Sequence, residues 1–119
     1  MTPLIFLLAS VAGGIGAALR YAVDVGVSRL ADRRFPWGIV IVNITGSFAL
    51  GIVTAALPDA LFVVGAGMLG GYTTFSTAML DTIALWKVSD RTRSVLHLCG
   101  TFAASVIAAL AGLALGAAL

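Results

Sequence analysis

Gly70-Gly71-Tyr72-Thr73-Thr74-Phe75-Ser76-Thr77 interrupts an apolar segment long enough to cross a membrane. Two glycines with poor helix propensity precede two β-branched hydroxyl residues, and no charge accompanies them. The run therefore predicts a break near residues 70–76 in the third of four helices. A break releases backbone carbonyls, which are tolerated at membrane depth only when they are buried in protein, face water or bind a cation. A monovalent cation held by carbonyl oxygens is one physical solution.

The rest of the chain has the composition of an integral membrane protein. Its 119 residues are 61% hydrophobic and 10% charged, and the mean hydropathy is +1.11, far above that of a soluble domain. Long apolar segments predict one all-α transmembrane domain over residues 1–119, with helices near 3–23, 35–57, 60–86 and 94–118. The first segment lacks a basic leader and a clear cleavage site, so a helix is favoured over a signal peptide.

The basic residues predict how the chain is oriented. With four crossings, the first and third loops share one side of the membrane, and all seven basic side chains fall on that side. The positive-inside rule then puts these loops in the cytoplasm and both termini outside. The net charge of +2 reflects this topology. No basic stripe is interleaved with aromatic residues, so nucleic-acid binding is not expected.

Asn43 is a second polar feature, in the middle of the second predicted helix. An amide in hydrocarbon needs hydrogen-bond partners or water, so Asn43 either bonds a neighbouring helix or faces an aqueous path. Gly46, Ser47 and Gly51 follow at helical spacings. This smooth strip predicts close packing against a neighbouring helix.

Hydroxyl and aromatic side chains suggest a path for a small anion. The edge of Phe75 carries partial positive charge, and with the hydroxyls of Ser76 and Thr77 it is able to replace part of an anion's water shell without a trapping charge. Core packing of Phe75 is the alternative. Thr101 and Ser105 share one face of the last helix, where their hydroxyls either bond their own helix carbonyls or line the same path.

The remaining polar candidates are isolated. Arg20 lies near the predicted end of the first helix, where it either snorkels to the cytoplasmic interface or lines an anion vestibule. Cys99 is the only cysteine, which excludes an intramolecular disulfide and a thiolate metal cluster. His97 is expected at the membrane interface, and no second histidine or carboxylate is spaced with it for a metal. No nucleophile, base and oxyanion set is present, so an enzyme is not predicted.

Together with Gly13-Gly-Ile-Gly-Ala-Ala-Leu-Arg20-Tyr21 and Val42-Asn43-Ile-Thr-Gly46-Ser47-Phe48, the third-helix run resembles the CrcB/Fluc family of small bacterial fluoride channels. The resemblance extends over the whole four-helix layout. It implies an antiparallel, dual-topology dimer in the bacterial plasma (inner) membrane, with two narrow fluoride pores and a structural sodium ion held by carbonyls of broken helices. The implied function is passive fluoride export that lowers cytoplasmic fluoride and gives fluoride resistance.

The same resemblance implies roles for individual residues. Gly70 and Thr73 match the positions whose backbone oxygens hold sodium. Asn43 matches the pore asparagine, and Phe75 matches the first pore phenylalanine. Arg20 matches the first-helix arginine. In the last helix Ser105 matches the pore serine.

Four departures from the family pattern bear on the pore. Ala78 stands where a second phenylalanine is usual, Asp81 replaces a glutamate, Ile39 replaces a threonine, and Thr101 takes a tyrosine position. Loss of an aromatic wall leaves open a non-conducting structural subunit that completes a partner's pore. Dual insertion needs nearly balanced loop charges, so the charge asymmetry favours a heterodimer with an oppositely oriented paralogue over a homodimer.

A small proton-coupled multidrug exporter is the alternative from another class, since such carriers also have four helices and about this length. It requires an intramembrane carboxylate shared by the proton and the substrate. Asp24 and Asp81 both fall near predicted helix ends. This position disfavours proton-coupled exchange.

Overall fold

The computed structural model describes residues 2–31, 34–88 and 90–119, and within these residues all regular structure is helical. The third span begins with a short 3₁₀ turn and a segment that we call α3 (61–72), whose first part is π-helical and whose last turn is α-helical. The helices are α1, Pro3–Leu30; α2, Trp37–Ala56; α3, made of Leu61–Leu69 and Gly70–Tyr72; α4, Ser76–Lys87; and α5, Arg91–Ala118.

Three helices of the described chain, α1, α2 and α5, are long and apolar enough to cross a membrane. The fourth predicted span is divided between α3 and α4, because residues 73–75 lie outside both helices. Thr73 is extended, with φ −78° and ψ 157°. The predicted all-α architecture and the break in the third span are therefore confirmed.

Two helix ends differ from the predicted bounds. α1 continues past residue 23 to Leu30, since no proline stops it and Arg29 suits the negative end of the helix dipole. α5 begins at Arg91 instead of residue 94, because the Asp90 carboxylate caps it and pairs with the Arg93 guanidinium at 3.0 Å. As a result, Arg20 lies well inside α1 and not at its end.

The helices approach one another backbone to backbone at glycines. α1 packs on α3 through Gly16, where a Cβ would collide with the Met68 carbonyl oxygen. α2 and α5 form the most extensive helix pair and meet at Gly51 and Gly112, where added Cβ atoms would strike the facing backbone. Small residues at such contacts are typical of membrane helices. The packing predicted for Gly51 is confirmed.

These close approaches give a matched test of the fold. We expect Gly16→Ala to lower the free energy of unfolding by about 1–3 kcal/mol, because the added methyl forces α1 away from α3. Gly14→Ala is the control: no atom lies within 4 Å of a Cβ there, and alanine favours the helix. Unfolding of both variants in mixed detergent micelles measures the difference. Equal stability of the two variants would contradict this packing.

Candidate functional site

Asn43 joins α2 to the break in the third span. Its Nδ2 donates to the Thr74 carbonyl and its Oδ1 accepts the Thr74 N–H, both at 2.9 Å. We call this pair of bonds the amide clamp. The clamp satisfies a donor and an acceptor that the interrupted helix leaves open. Because unsatisfied backbone is costly in hydrocarbon, the clamp stabilises the break at membrane depth.

Two N–H groups at the break are used outside the helical ladder. The Thr74 N–H goes to the amide clamp instead of the Gly70 carbonyl, and the Thr77 N–H donates to the Thr74 hydroxyl at 3.3 Å instead of the Thr73 carbonyl. The carbonyl oxygens of Gly70 and Thr73 therefore lose the partners that a continuous helix would supply. Gly70 is exposed and Thr73 is half-buried.

α2 also holds the turn that precedes the break. Gly46 leaves room for Thr73, whose Cγ2 would collide with an added Cβ. The Thr45 hydroxyl donates to the Ile41 carbonyl at 2.7 Å. At 3.0 Å from Thr45 Oγ1, the Tyr72 hydroxyl is therefore the donor of that second bond. These contacts attach α2 to Tyr72 and Thr73, and the amide clamp attaches it to Thr74 within the break.

A cavity of about 1040 Å³ extends from the break along α2 and α5. None of the described Asp, Glu, Lys or Arg residues lines it. Phe75 and Phe102, at its edge, are 76% and 73% exposed. Its polar and sulfur-containing side chains are those of Asn43, Ser47, Thr73, Thr74, Met79, Thr82, His97, Cys99, Thr101 and Ser105.

Three buried polar atoms of α5 beside this cavity have no hydrogen-bond partner among the described residues: Nε2 of His97, Oγ1 of Thr101 and Oγ of Ser105. Four-residue spacing puts them on one face of the helix. The alternative in which Thr101 and Ser105 bond their own helix carbonyls is not observed. A buried polar group without a partner costs about 1–3 kcal/mol. Each of the three is therefore a candidate contact for a ligand.

The structure brings most of the predicted site residues together. Asn43 bonds the broken helix, which confirms the first of its two alternatives, and it also lines the cavity. Phe75 is exposed and not packed in a core. The predicted site residues that line the cavity are Asn43, Gly70, Thr73, Phe75, Thr101 and Ser105.

Three predicted residues lie outside the cavity lining as the described residues define it. Ser76 and Thr77 form the first turn of α4, and the Thr77 N–H turns to the Thr74 hydroxyl. Arg20 is half-buried within α1. The structure thus separates Arg20, Ser76 and Thr77 from the row of hydroxyls on α5.

Several polar lining residues were not predicted from the sequence as members of the site, among them Ser47, Thr74, Thr82 and His97. His97 is only 1% exposed, so it is buried within the protein, and its expected place at the membrane interface stays a prediction. The four-residue spacing of His97, Thr101 and Ser105 could have predicted that His97 shares a helix face with the two hydroxyls. Ser47 follows Asn43 at the same interval.

Comparison with known proteins identifies similar chains. Residues 7–113 match the family model described as "CrcB-like protein, Camphor Resistance (CrcB)". The chain is 39% identical to the Fluoride-specific ion channel FluC of Agrobacterium fabrum, over 92% of this chain and 93% of that protein. It is 38% identical to FluC 1 of Rubrobacter xylanophilus, over 98% and 97%. For the FluC of Mesorhizobium japonicum the identity is 40%, over 92% and 90%.

The amide clamp is directly testable. We expect Asn43→Ala to leave both backbone groups of Thr74 unpaired, which lowers the free energy of unfolding by about 1–3 kcal/mol and speeds hydrogen exchange at the Thr74 amide. NMR of the labelled protein in lipid nanodiscs measures that exchange. Ser47→Ala is the matched control, since Ser47 lies one turn later on α2 and lines the same cavity. Equal Thr74 exchange in the two variants would contradict the clamp.

Proposed function

The chain belongs to the CrcB-like family, and from this premise we propose that it is a subunit of a fluoride-selective channel through which fluoride leaves the cytoplasm passively. The observation that carries the proposal is the cavity beside the broken span, which is lined by amide, hydroxyl and aromatic groups without a fixed charge. The relatives that are named fluoride-specific ion channels align over nearly the whole of both chains. A multi-pass membrane protein with such a cavity suits ion passage and not a catalysed reaction.

The polar groups of the cavity suit a small, strongly hydrated anion. Asn43 Nδ2 has two hydrogens and gives one to Thr74, which leaves the other for an ion. The hydroxyls of Thr101 and Ser105 have no partner within the part of the chain that the structure describes and can rotate to donate. Carboxylates that would repel the anion and cations that would hold it are both outside the described lining. Such a lining replaces water without trapping the ion.

We further propose that a second subunit covers the edge of the cavity. A polar cavity is not stable against lipid, and Phe75 and Phe102 at its edge are 76% and 73% exposed. An antiparallel dimer would enclose this face. Because the seven basic residues favour one orientation, we expect a heterodimer with an oppositely oriented paralogue, with both termini of this chain outside.

A structural sodium ion is the remaining part of the proposal. The carbonyl oxygens of Gly70 and Thr73 fit it, because the break diverts their helical N–H partners and hard cations prefer oxygen ligands. Groups of three or more His, Cys, Asp or Glu that could bind a metal are not found among the described residues. Sodium bound there would hold the break rigid, while the chain's own side chains contact fluoride.

Two alternatives remain distinguishable. Ala78 lines the cavity and is 6% exposed, so the aromatic wall that the family pattern supplies is missing here. This observation keeps a non-conducting structural subunit as the second candidate. A proton-coupled exporter is not favoured, because neither Asp24 nor Asp81 is among the cavity's described lining residues.

The channel function is tested by fluoride efflux from liposomes that contain the purified chain, read with a fluoride electrode and compared with chloride. We expect fluoride to pass and chloride to be retained. Thr101→Val should slow fluoride efflux roughly tenfold or more, since a hydrogen bond to a charged group contributes about 1.5–3 kcal/mol. Thr54→Val is the control, because the Thr54 hydroxyl bonds its own helix at the Leu50 carbonyl.

The same assay separates the alternatives. Flux from the chain alone would support the channel and contradict an obligatory partner. Flux only after addition of the paralogue would support the heterodimer. If Thr101→Val leaves heterodimer flux unchanged, the subunit is structural. Absence of fluoride flux from both preparations would contradict the channel.

Sodium binding is tested by thermal unfolding of the assembled channel at constant ionic strength. We expect stability to rise with sodium by about 1.4 kcal/mol for each tenfold increase above the dissociation constant, because only the folded break binds the ion. A large organic cation, N-methylglucamine, is the control. Equal unfolding temperatures in the two salts would contradict the site at Gly70 and Thr73.

A further inference from the structure

The turn between α4 and α5 carries a cation and an aromatic ring that have no role in the function proposed above. The guanidinium carbon of Arg91 lies over the Trp86 ring, 4.6 Å from its centroid, which is a cation–π contact. Trp86 is in the last turn of α4, and Arg91 is the first residue of α5. The contact therefore places a charged side chain beside an indole at the end of the third span.

Two cations of this turn have no carboxylate partner within the described chain. Arg93 pairs with Asp90 at 3.0 Å, so the positive charge of Arg93 is compensated. Lys87 and Arg91 are exposed, and no ion pair joins either of them to another described residue. Trp86 beside them is 48% exposed. The part of the turn that the structure describes thus presents two uncompensated positive charges next to an accessible indole.

The contact with the ring leaves Arg91 able to bind an anion. A guanidinium has five N–H donors, and those of Arg91 donate no hydrogen bond to the described residues. Their planar arrangement matches two oxygens of a phosphate at once. Lys87 directly follows Trp86 and adds an ammonium group on a flexible stem. A phosphate group is therefore the anion that fits this turn.

The surroundings of the turn indicate that the phosphate belongs to a lipid. Trp86 ends a membrane span, where tryptophan is enriched at the level of the headgroups. Ile83 lies one turn before Trp86 on α4 and is 50% exposed. Val95 lies one turn after Arg91 on α5 and is also 50% exposed. These apolar side chains suit an acyl chain, which a soluble phosphate does not have.

We propose that Trp86, Lys87 and Arg91 bind the headgroup of an anionic phospholipid such as phosphatidylglycerol. The N–H donors of Arg91 contact the phosphate oxygens, and the Trp86 ring holds the guanidinium in position. The charge of Lys87 favours a headgroup with net negative charge over a zwitterionic one, whose own ammonium compensates its phosphate. None of these three residues is among the described lining of the cavity, so the site does not depend on the proposed channel function.

Fluorescence quenching by lipids with brominated acyl chains measures which lipid lies next to Trp86. The chain has two tryptophans, so Trp37→Phe leaves Trp86 as the only one and keeps an aromatic ring beside Phe35. The assembled protein is reconstituted in mixed bilayers of phosphatidylglycerol and phosphatidylcholine, in which one of the two lipids is brominated. We expect phosphatidylglycerol to bind beside Trp86 roughly twentyfold more tightly, because each of the two cations contributes about fivefold.

Removal of charge at the turn should reduce this preference. Arg91→Gln should lower it about fivefold, and the double change Lys87→Gln with Arg91→Gln should abolish it. Arg29→Gln is the matched control, because Arg29 is an exposed basic residue in the last turn of α1, a helix that packs on α2 and α3. It lowers the net charge of the chain equally and should leave the preference at Trp86 unchanged.

The outcomes separate a lipid site from a general attraction by surface charge. An equal loss of preference in Arg29→Gln and Arg91→Gln would overturn the site, and so would equal quenching by the two brominated lipids. Displacement of phosphatidylglycerol from Trp86 by excess inorganic phosphate would assign the cations to a soluble anion and overturn the proposal. If Trp37→Phe does not assemble, native mass spectrometry of the unmodified protein decides. Selective retention of phosphatidylglycerol is expected there, and equal retention of both lipids would contradict the site.

Discussion

A backbone that leaves the helical conformation inside a membrane must have its polar groups satisfied by the protein, and in this chain the Asn43 side chain meets that requirement. Its amide pairs with both polar groups of Thr74 at 2.9 Å. Without this pairing, the N–H and the carbonyl of Thr74 would be an open donor and an open acceptor at membrane depth. A continuous helix would then be preferred, and the third span would lose the feature that distinguishes it. The break depends on one side chain from another helix.

The pairing affects two features beside the break: the carbonyls of Gly70 and Thr73, and the cavity. Towards the N-terminal side, diversion of the Thr74 and Thr77 N–H groups releases the Gly70 and Thr73 carbonyls. Towards the other side, the break borders the cavity that α2 and α5 line with an amide, hydroxyls and one imidazole. Glycine contacts such as that of Gly16 with Met68 bring the backbones close together. The proposed cation site and the proposed anion path therefore depend on the same local geometry.

The sequence predicted those features that depend on local composition and failed where distant contacts decide. Glycine and β-branched hydroxyl residues predicted the break, and hydropathy predicted the spans. A bond from Asn43 to a neighbouring helix was anticipated, but its partner was not predictable, because Thr74 is 31 residues away. The burial of His97, which is 1% exposed, was not predicted, because it depends on contacts outside α5 such as that with the Phe35 ring. Its burial also depends on Thr82, a contact that no periodicity in α5 reveals.

If fluoride passes beside the amide clamp, it approaches the Asn43 side chain, which can be labelled selectively because Asn43 is the only asparagine in the sequence. Solid-state NMR in lipid, with ¹⁵N-labelled asparagine and ¹⁹F-fluoride, measures whether the ion approaches Nδ2. We expect fluoride-dependent dipolar dephasing of the Asn43 side-chain signal. Chloride added at the same fluoride concentration should leave that dephasing unchanged, because the channel is proposed to be selective for fluoride. If fluoride causes no dephasing of the Asn43 signal in a preparation that conducts fluoride, passage beside the amide clamp is contradicted.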